Sequence, residues 1–301
     1  MKHSAFEIVK GLDLSGKVYL VTGAYAGLGA TTTQALLKAK ATVIIAGRNG
    51  ATQAEFAQQL KDDATLSFQD HQLDASRTLD LGDLKSVRDF ACYVKEKYPA
   101  IDCLINNAGV MNTPPGKTKD GFETQFGVNV IGHFLLAKIL VDITKRQVWL
   151  SSKGHIRYGA PGIDYDAITE VDPATYHPRR RYQQSKLGDI LLAKYFDTHY
   201  PDLQAVSVHP GVVKTSLGRY MPLGKKLVFI LKHPRAIMTM KSPEEGASTQ
   251  VMVATVPASQ LTGGAYYVDC KVTEEAESGR DMDDARKLFA YCEKVTANYQ
   301  A

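Results

Sequence analysis

Cysteine is scarce. The four in the chain, Cys92, Cys103, Cys270 and Cys292, are scattered and form no Cys-x-x-Cys pair. That spacing excludes a disulfide framework and fits a reducing, cytoplasmic setting. No histidine pair has metal-ligand spacing either, so no metal is expected. Long apolar runs are also missing, and none approaches the ~20 residues of a membrane span. Residues 1–16 lack the apolar segment of a secretory signal, so neither a leader nor an integral membrane segment is expected. The excess of positive charge is small, +4 over 301 residues. A nucleic-acid partner would need a concentrated basic face, and none is expected. Low-complexity linkers and internal repeats are absent. With 44% hydrophobic and 23% charged residues, the chain reads as one globular domain over 1–301 with a sizeable core.

What is present is alternation. Lys17–Thr22 (KVYLVT) is a short β-branched run, and Gly23-Ala24-Tyr25-Ala26-Gly27-Leu28-Gly29 follows it directly. A helical run, Ala30–Ala39, and a second strand, Thr42–Ala46, complete a β-α-β unit. Glycines at such a turn let the backbone approach a diphosphate, and the helix start offers free N–H groups and a positive dipole end. The second strand ends in Gly47-Arg48-Asn49, with no acid to take the ribose hydroxyls of NAD. Arg48 can instead pair with a 2′-phosphate, so NADP(H) is expected in preference to NAD(H). The third strand can end at Leu73-Asp74 or at Leu79-Asp80-Leu81. We favour Asp80, because Asp83 then caps a helix over Leu84–Tyr98.

A fourth strand, Ile101–Ile105, ends in Asn106-Asn107-Ala108-Gly109, whose small residues allow a flat ring to lie against the backbone. A helix over about Gly121–Lys145 carries Asn129 in its middle, where asparagine is a poor helix former. A fifth strand, Gln147–Leu150, ends at Ser151-Ser152. After a long polar segment, 153–181, comes Tyr182-Gln183-Gln184-Ser185-Lys186 at the head of an apolar helix. Positions i and i+4 share a helix face, so a phenol and an ammonium stand side by side. A nearby cation favours the phenolate and makes a general acid/base that can work near neutrality. Further strands at Gln204–Val208 and Gly264–Asp269, and helices at Ser242–Ala254 and Asp281–Asn298, follow. The whole pattern is α/β, a Rossmann-type doubly wound parallel sheet of about seven strands with helices on both faces. Ligands bind at the carboxyl ends of such strands, which is where the Gly23 loop, Asn107, Ser152 and the Pro210 loop fall.

The chain resembles the short-chain dehydrogenase/reductase family. The resemblance rests on Thr22–Gly29, Asn106-Asn107-Ala108-Gly109, Asn129, Ser152, Tyr182-x-x-x-Lys186 and Pro210-Gly211-x-Val213-x-Thr215, from about Leu14 to the last helix. Within the family it looks like the retinol dehydrogenase and WW-domain oxidoreductase branch. The long segment before Tyr182, the Lys241–Ala247 helix start and the Gly264–Cys270 ending carry that likeness. The resemblance implies Tyr182 as general acid or base, Lys186 lowering its pKa and holding the nicotinamide ribose, Ser152 bonding the substrate oxygen and Asn129 anchoring a proton relay. It also implies a cofactor bordered by Gly23, Tyr25, Gly27, Leu28, Gly29, Arg48, Asp80, Leu81, Asn107, Ala108, Gly109, Tyr182, Lys186, Pro210, Gly211, Val213 and Thr215.

The expected activity is hydride transfer between NADP(H) and an apolar aldehyde, ketone or secondary alcohol. A cofactor-binding regulator with little catalysis is the alternative, and a homodimer through the helices of Asn129 and Tyr182 is a family habit. Ala26 stands where many NADP-preferring relatives carry a polar or basic side chain, and Tyr25 replaces a small polar residue. Residues 222–240 read as a lid within a substrate-loop region over 216–241, as a membrane-surface contact or as a packed helix pair. Arg179-Arg180-Arg181 reads as a solvated or dimer-facing run sooner than as a steering device for an acidic substrate.

Overall fold

A computed structural model describes residues 3–158, 162–214 and 240–300. Its sheet has eight strands in the order β3-β2-β1-β4-β5-β6-β7-β8. They are β1 Val18–Thr22, β2 Thr42–Ala46, β3 Leu73–Asp74, β4 Cys103–Asn106, β5 Arg146–Leu150, β6 Gln204–His209, β7 Tyr266–Val268 and β8 Lys271–Val272. All neighbours pair in parallel except β7 and β8. The principal helices are α1 Gly27–Lys38, α2 Gly50–Asp62, α3 Leu84–Lys97, a composite α4 over 124–139, α5 Pro178–His199, α6 Pro243–Thr255 and α7 Met282–Thr296.

Strand alternation divides the core between two faces. Leu20, Ile44 and Leu104 pack with Phe126, Phe134, Leu187, Leu191 and Leu288 of α4, α5 and α7. Tyr19, Val21, Val43 and Ile45 pack on the opposite face with Leu36, Phe56 and Val251 of α1, α2 and α6. Both faces are covered, so the central strands are almost wholly buried, as parallel sheets require. Helix starts follow the local chemistry. Asn49, Asp83 and Asp281 accept backbone N–H bonds at the heads of α2, α3 and α7, and Ser242 with Glu245 forms a capping box on α6.

Two expectations need correction. The third strand is Leu73–Asp74, and Asp80 lies in the loop after it. The buried Asp74 carboxylate takes bonds from Ser76, Tyr93, Lys97 and Tyr98, which fixes that short strand. Leu79 and Leu81 are buried without joining the sheet, and Leu79 N–H reaches back to the Gly47 carbonyl at 2.9 Å. The parallel part of the sheet has the seven strands expected, and an eighth, antiparallel strand is added at its edge. Asp269 and Cys270, at φ +52° and +61°, make a two-residue hairpin that adds the antiparallel β8. The helix expected over 121–145 spans 124–139, and its Gly127–Gly132 section is π-helical. Among the described residues, no helix is long and apolar enough to cross a membrane.

Candidate active site

A cleft opens at the carboxyl ends of β1, β2, β4 and β5. The turn from β1 to α1 forms one wall. Gly23 and Gly27 have φ of +64° and +52°, a left-handed conformation that side chains resist. A Cβ on Gly29 would fall inside the Gly23 carbonyl oxygen and 2.6 Å from Asn107 Nδ2. Glycine therefore lets the turn close on the start of α1. No side chain caps that helix, because Ala26 occupies the N-cap position. Its first N–H groups are left for a ligand, and the dipole there favours an anion. Asn107 Nδ2 donates to the Thr22 carbonyl at 2.7 Å. Thr22 Oγ1 accepts from the Ala108 backbone N–H at 2.9 Å, which ties the ends of β1 and β4 together.

The far wall carries Arg48, exposed just beyond β2. Tyr25 lies over Gly47, where any Cβ would collide with the phenol ring, and its hydroxyl accepts the Asn49 backbone N–H at 3.3 Å. Tyr25 thus shapes the end of the cleft beside Arg48. Asp80 closes its own turn by accepting the Gly82 N–H at 2.9 Å, and it lines the cleft with Leu81. Anion-ready N–H groups, a guanidinium and apolar walls suit a dinucleotide, and the glycine turn leaves room for its diphosphate.

The near wall carries the reactive groups. Tyr182 and Lys186 line the cleft on α5, with Lys186 Nζ 5.7 Å from the Tyr182 ring centre. Lys186 Nζ donates to the Leu150 carbonyl at 2.7 Å and to Asp189 Oδ2 at 2.8 Å. Ser152 stands beside the Tyr182 phenol, and its Oγ accepts the Gly154 N–H at 3.0 Å. Asn129, in the π-helical section of α4, accepts from Val110 N–H at 2.9 Å and donates to Val110 C=O at 3.0 Å. It also donates to Ser185 Oγ at 2.9 Å, linking α4 to α5. The π-helix accounts for an asparagine in mid-helix, since a widened turn frees that side chain to serve a neighbouring loop.

The electrostatics differ from the expectation. Burial pushes the Tyr182 phenol up, and Lys186 and Ser152 pull it down without cancelling that rise. Burial also raises Asp189, to about 6, against the opposing pull of Lys186. His133, packed behind Asn129, is driven down to about 3 by burial. It remains a neutral bridge between Thr22 Oγ1 at 2.9 Å and the Asn129 carbonyl at 3.0 Å.

Of the residues anticipated from sequence, Gly23, Tyr25, Gly27, Leu28, Arg48, Asp80, Leu81, Asn107, Ala108, Gly109, Tyr182, Lys186 and Pro210 line the cleft. Gly29 and Asn129 lie behind its wall and hold it in shape. Ser152 sits beside Tyr182, and its neighbours Leu150 and Ser151 provide lining. Gly211 has φ +97°. Val213 bridges to Lys241 and lies where a Cβ on Gly246 would meet both it and Leu28. Thr215 and the expected lid up to residue 239 lie outside the described residues. Sequence reasoning passed over Asp189, His133 and Gln250. The last donates to Thr32 Oγ1 and, at 3.4 Å, to Asn107 Oδ1. The legible signal was a buried-face position carrying a polar residue, Asp189 sitting three residues past Lys186. Among the described residues no His, Cys, Asp and Glu cluster could hold a metal.

A family model described as short chain dehydrogenase matches residues 17–156. Retinol dehydrogenase 14 of Mus musculus is 37% identical, over 92% of this chain and 84% of its own length. Human polyprenol dehydrogenase is 33% identical, over 86% and 78% respectively. A crystal structure of an uncharacterised protein from Mycobacterium paratuberculosis superposes with a TM-score of 0.73 at 28% identity, covering 96% of this chain and 97% of that one. A Pseudomonas aeruginosa RhlG/NADP active-site complex shares the fold, with a TM-score of 0.61 at 20% identity over 88% of this chain and 96% of that one. Together with the retinol dehydrogenases 13 and 14 of human, 35% and 36% identical, these likenesses establish that the chain belongs to the short-chain dehydrogenase/reductase family, in its retinol dehydrogenase branch, whose members are oxidoreductases that bind nicotinamide cofactors.

Proposed function

We propose that this protein is an NADP(H)-dependent oxidoreductase that interconverts an apolar alcohol with its aldehyde or ketone. The observation that carries this reading is the Ser152–Tyr182–Lys186 group at one end of a cleft whose other end presents Arg48 and the uncapped head of α1. The bound nicotinamide supplies or takes the hydride. Gly23, Gly27 and Gly29 leave space for the diphosphate, Arg48 pairs with the 2′-phosphate, and Asp80, Leu81 and Asn107–Gly109 border the adenosine. Pro210, Gly211 and Val213 would border the nicotinamide end. Reduction of a carbonyl leaves charge on its oxygen. Ser152 and Tyr182 donate hydrogen bonds to that oxygen, and Tyr182 completes the step by giving up its proton. In the oxidation direction Tyr182 takes the hydroxyl proton. The Lys186 ammonium stabilises the phenolate that reduction leaves and oxidation starts from, and Asn129 holds Val110 and Ser185 beside it.

An apolar substrate is supported by relatives named for retinol and polyprenol, which are apolar alcohols. The test is NADPH oxidation with a panel of apolar aldehydes and ketones, run for wild type and Tyr182→Phe. Turnover by wild type and its loss in the variant are expected. Turnover that survives Tyr182→Phe would sink the mechanism, and cofactor binding without turnover on any compound would favour a regulatory role.

A further inference from the structure

Tyr182, Lys186 and Asp189 lie at i, i+4 and i+7 of α5, one stripe on one face. The Lys186 and Asp189 side chains are only 6% and 3% exposed, and their charged atoms are 2.8 Å apart. A buried carboxylate next to the ammonium has two effects. It fixes Lys186 Nζ, which the Leu150 carbonyl also holds at 2.7 Å, so that two of three N–H donors are committed to the protein. It also opposes the field that Lys186 exerts on the phenol one turn away. We infer that Asp189 is a positioning residue for the proton-transfer pair: its charge holds Lys186 and weakens the ammonium's hold on the Tyr182 phenolate.

This inference rests on the reading of Tyr182 as the acid/base. Lys186 is the charged group that acts on Asp189. The other titratable groups around α5 have partners or lie further off. His133 of α4 is held by Thr22 and Asn129. His155, in the turn after β5, bonds the Ser152 carbonyl and accepts the Ala276 N–H. Glu275 pairs with Lys194 at 2.7 Å, and Asp284 of α7 accepts from Ile163 N–H and the Tyr165 hydroxyl. Tyr266 of β7 feels Tyr182, and His209 of β6 feels Lys153, Lys241 and Asp269. None of these replaces Asp189 as the counter-charge of Lys186.

The decisive variant is Asp189→Asn, which keeps shape and a hydrogen-bond acceptor while removing the charge. Asp189→Ser is its companion should the amide disturb folding. Seven residues of helix separate Asp189 from Tyr182 by about 10 Å. A unit charge at that distance moves a neighbour's titration by about one pH unit in a medium of effective dielectric about 20. The titration of Tyr182 can be followed in the cofactor-free protein by the Cζ carbon resonance of labelled tyrosine, assigned with Tyr182→Phe. In both charge-removing variants the midpoint should fall by about one pH unit, and the pH profile of kcat for alcohol oxidation should move the same way. Unmoved midpoints, with turnover intact, would overturn the role of Asp189 and leave the proposed reaction standing. Midpoints that move while the wild-type protein itself turns over no alcohol or carbonyl compound would support Asp189 and refute the reaction.

Discussion

Two residues, Gly29 in the glycine turn and Arg48 just beyond β2, separate binding from selectivity. A methyl group at Gly29 has no room, because it meets the Gly23 carbonyl and Asn107 Nδ2, both fixed by the β1–β4 junction. Gly29→Ala should therefore cost about 1–3 kcal/mol of stability by overpacking and, by displacing the turn, weaken NADPH binding by about tenfold or more. Urea unfolding and fluorescence titration with NADPH check the two effects separately. Arg48 is the reverse case, since it is exposed and supports nothing behind it. Arg48→Ala should leave the urea midpoint unchanged and weaken NADPH binding by about 1.5–3 kcal/mol, the worth of a hydrogen bond to a charged group. NADH binding should change by less than about twofold. Equal losses for both cofactors would refute the 2′-phosphate contact.

At the scale of elements, the π-helical section of α4 joins the proposed reaction group to the architecture. Asn129 satisfies both backbone groups of Val110 and reaches Ser185 on α5. In Asn129→Ala both backbone groups of Val110 lose their partner, at about 1–3 kcal/mol for a buried group left unpaired, while Ser185 keeps its bond to the Tyr182 carbonyl. The variant should lose about 2–3 kcal/mol in urea unfolding and most of its kcat, while NADPH affinity stays within about threefold. Loss of affinity without loss of kcat would contradict the placement of Asn129 behind Tyr182 and Lys186. Most elements were legible because each has a local cause. Buried parallel strands read as short β-branched runs, and Asp83, Ser242 and Asp281 mark helix starts by capping. The exceptions had causes remote in sequence. The third strand is set by Tyr93, Lys97 and Tyr98 converging on Asp74, and β8 exists because Cys270 tolerates a left-handed backbone while its N–H bonds Thr249 Oγ1 at 3.2 Å. The motifs assigned to the reaction stood in recognisable order, whereas Asp189 had only its spacing of three from Lys186 to mark it, and its role depends on the Lys186 ammonium lying 2.8 Å away.

Over the whole molecule, two buried groups beside the site make stability depend on pH with opposite signs. His133 is lowered from 6.5 to about 3 in the folded chain. The unfolded chain binds its proton first, so the stability conferred by neutral His133 is complete above about pH 6.5 and is lost as pH falls toward 3. Asp189 is raised from 3.8 to about 6. The folded chain binds that proton first, so its contribution is greatest below about pH 4 and is lost as pH rises through 6. A tenfold change in proton binding is worth about 1.4 kcal/mol, so between pH 7 and pH 5 the histidine should cost about 2 kcal/mol while the aspartate returns about 1 kcal/mol. Urea unfolding at these two pH values isolates each group. Relative to wild type, His133→Gln should improve the change in stability from pH 7 to pH 5 by about 2 kcal/mol, and Asp189→Asn should worsen it by about 1 kcal/mol. If both variants moved in the same direction, one of the two groups would be exchanging protons with water in the folded chain, and the closed wall behind Tyr182 would be open there.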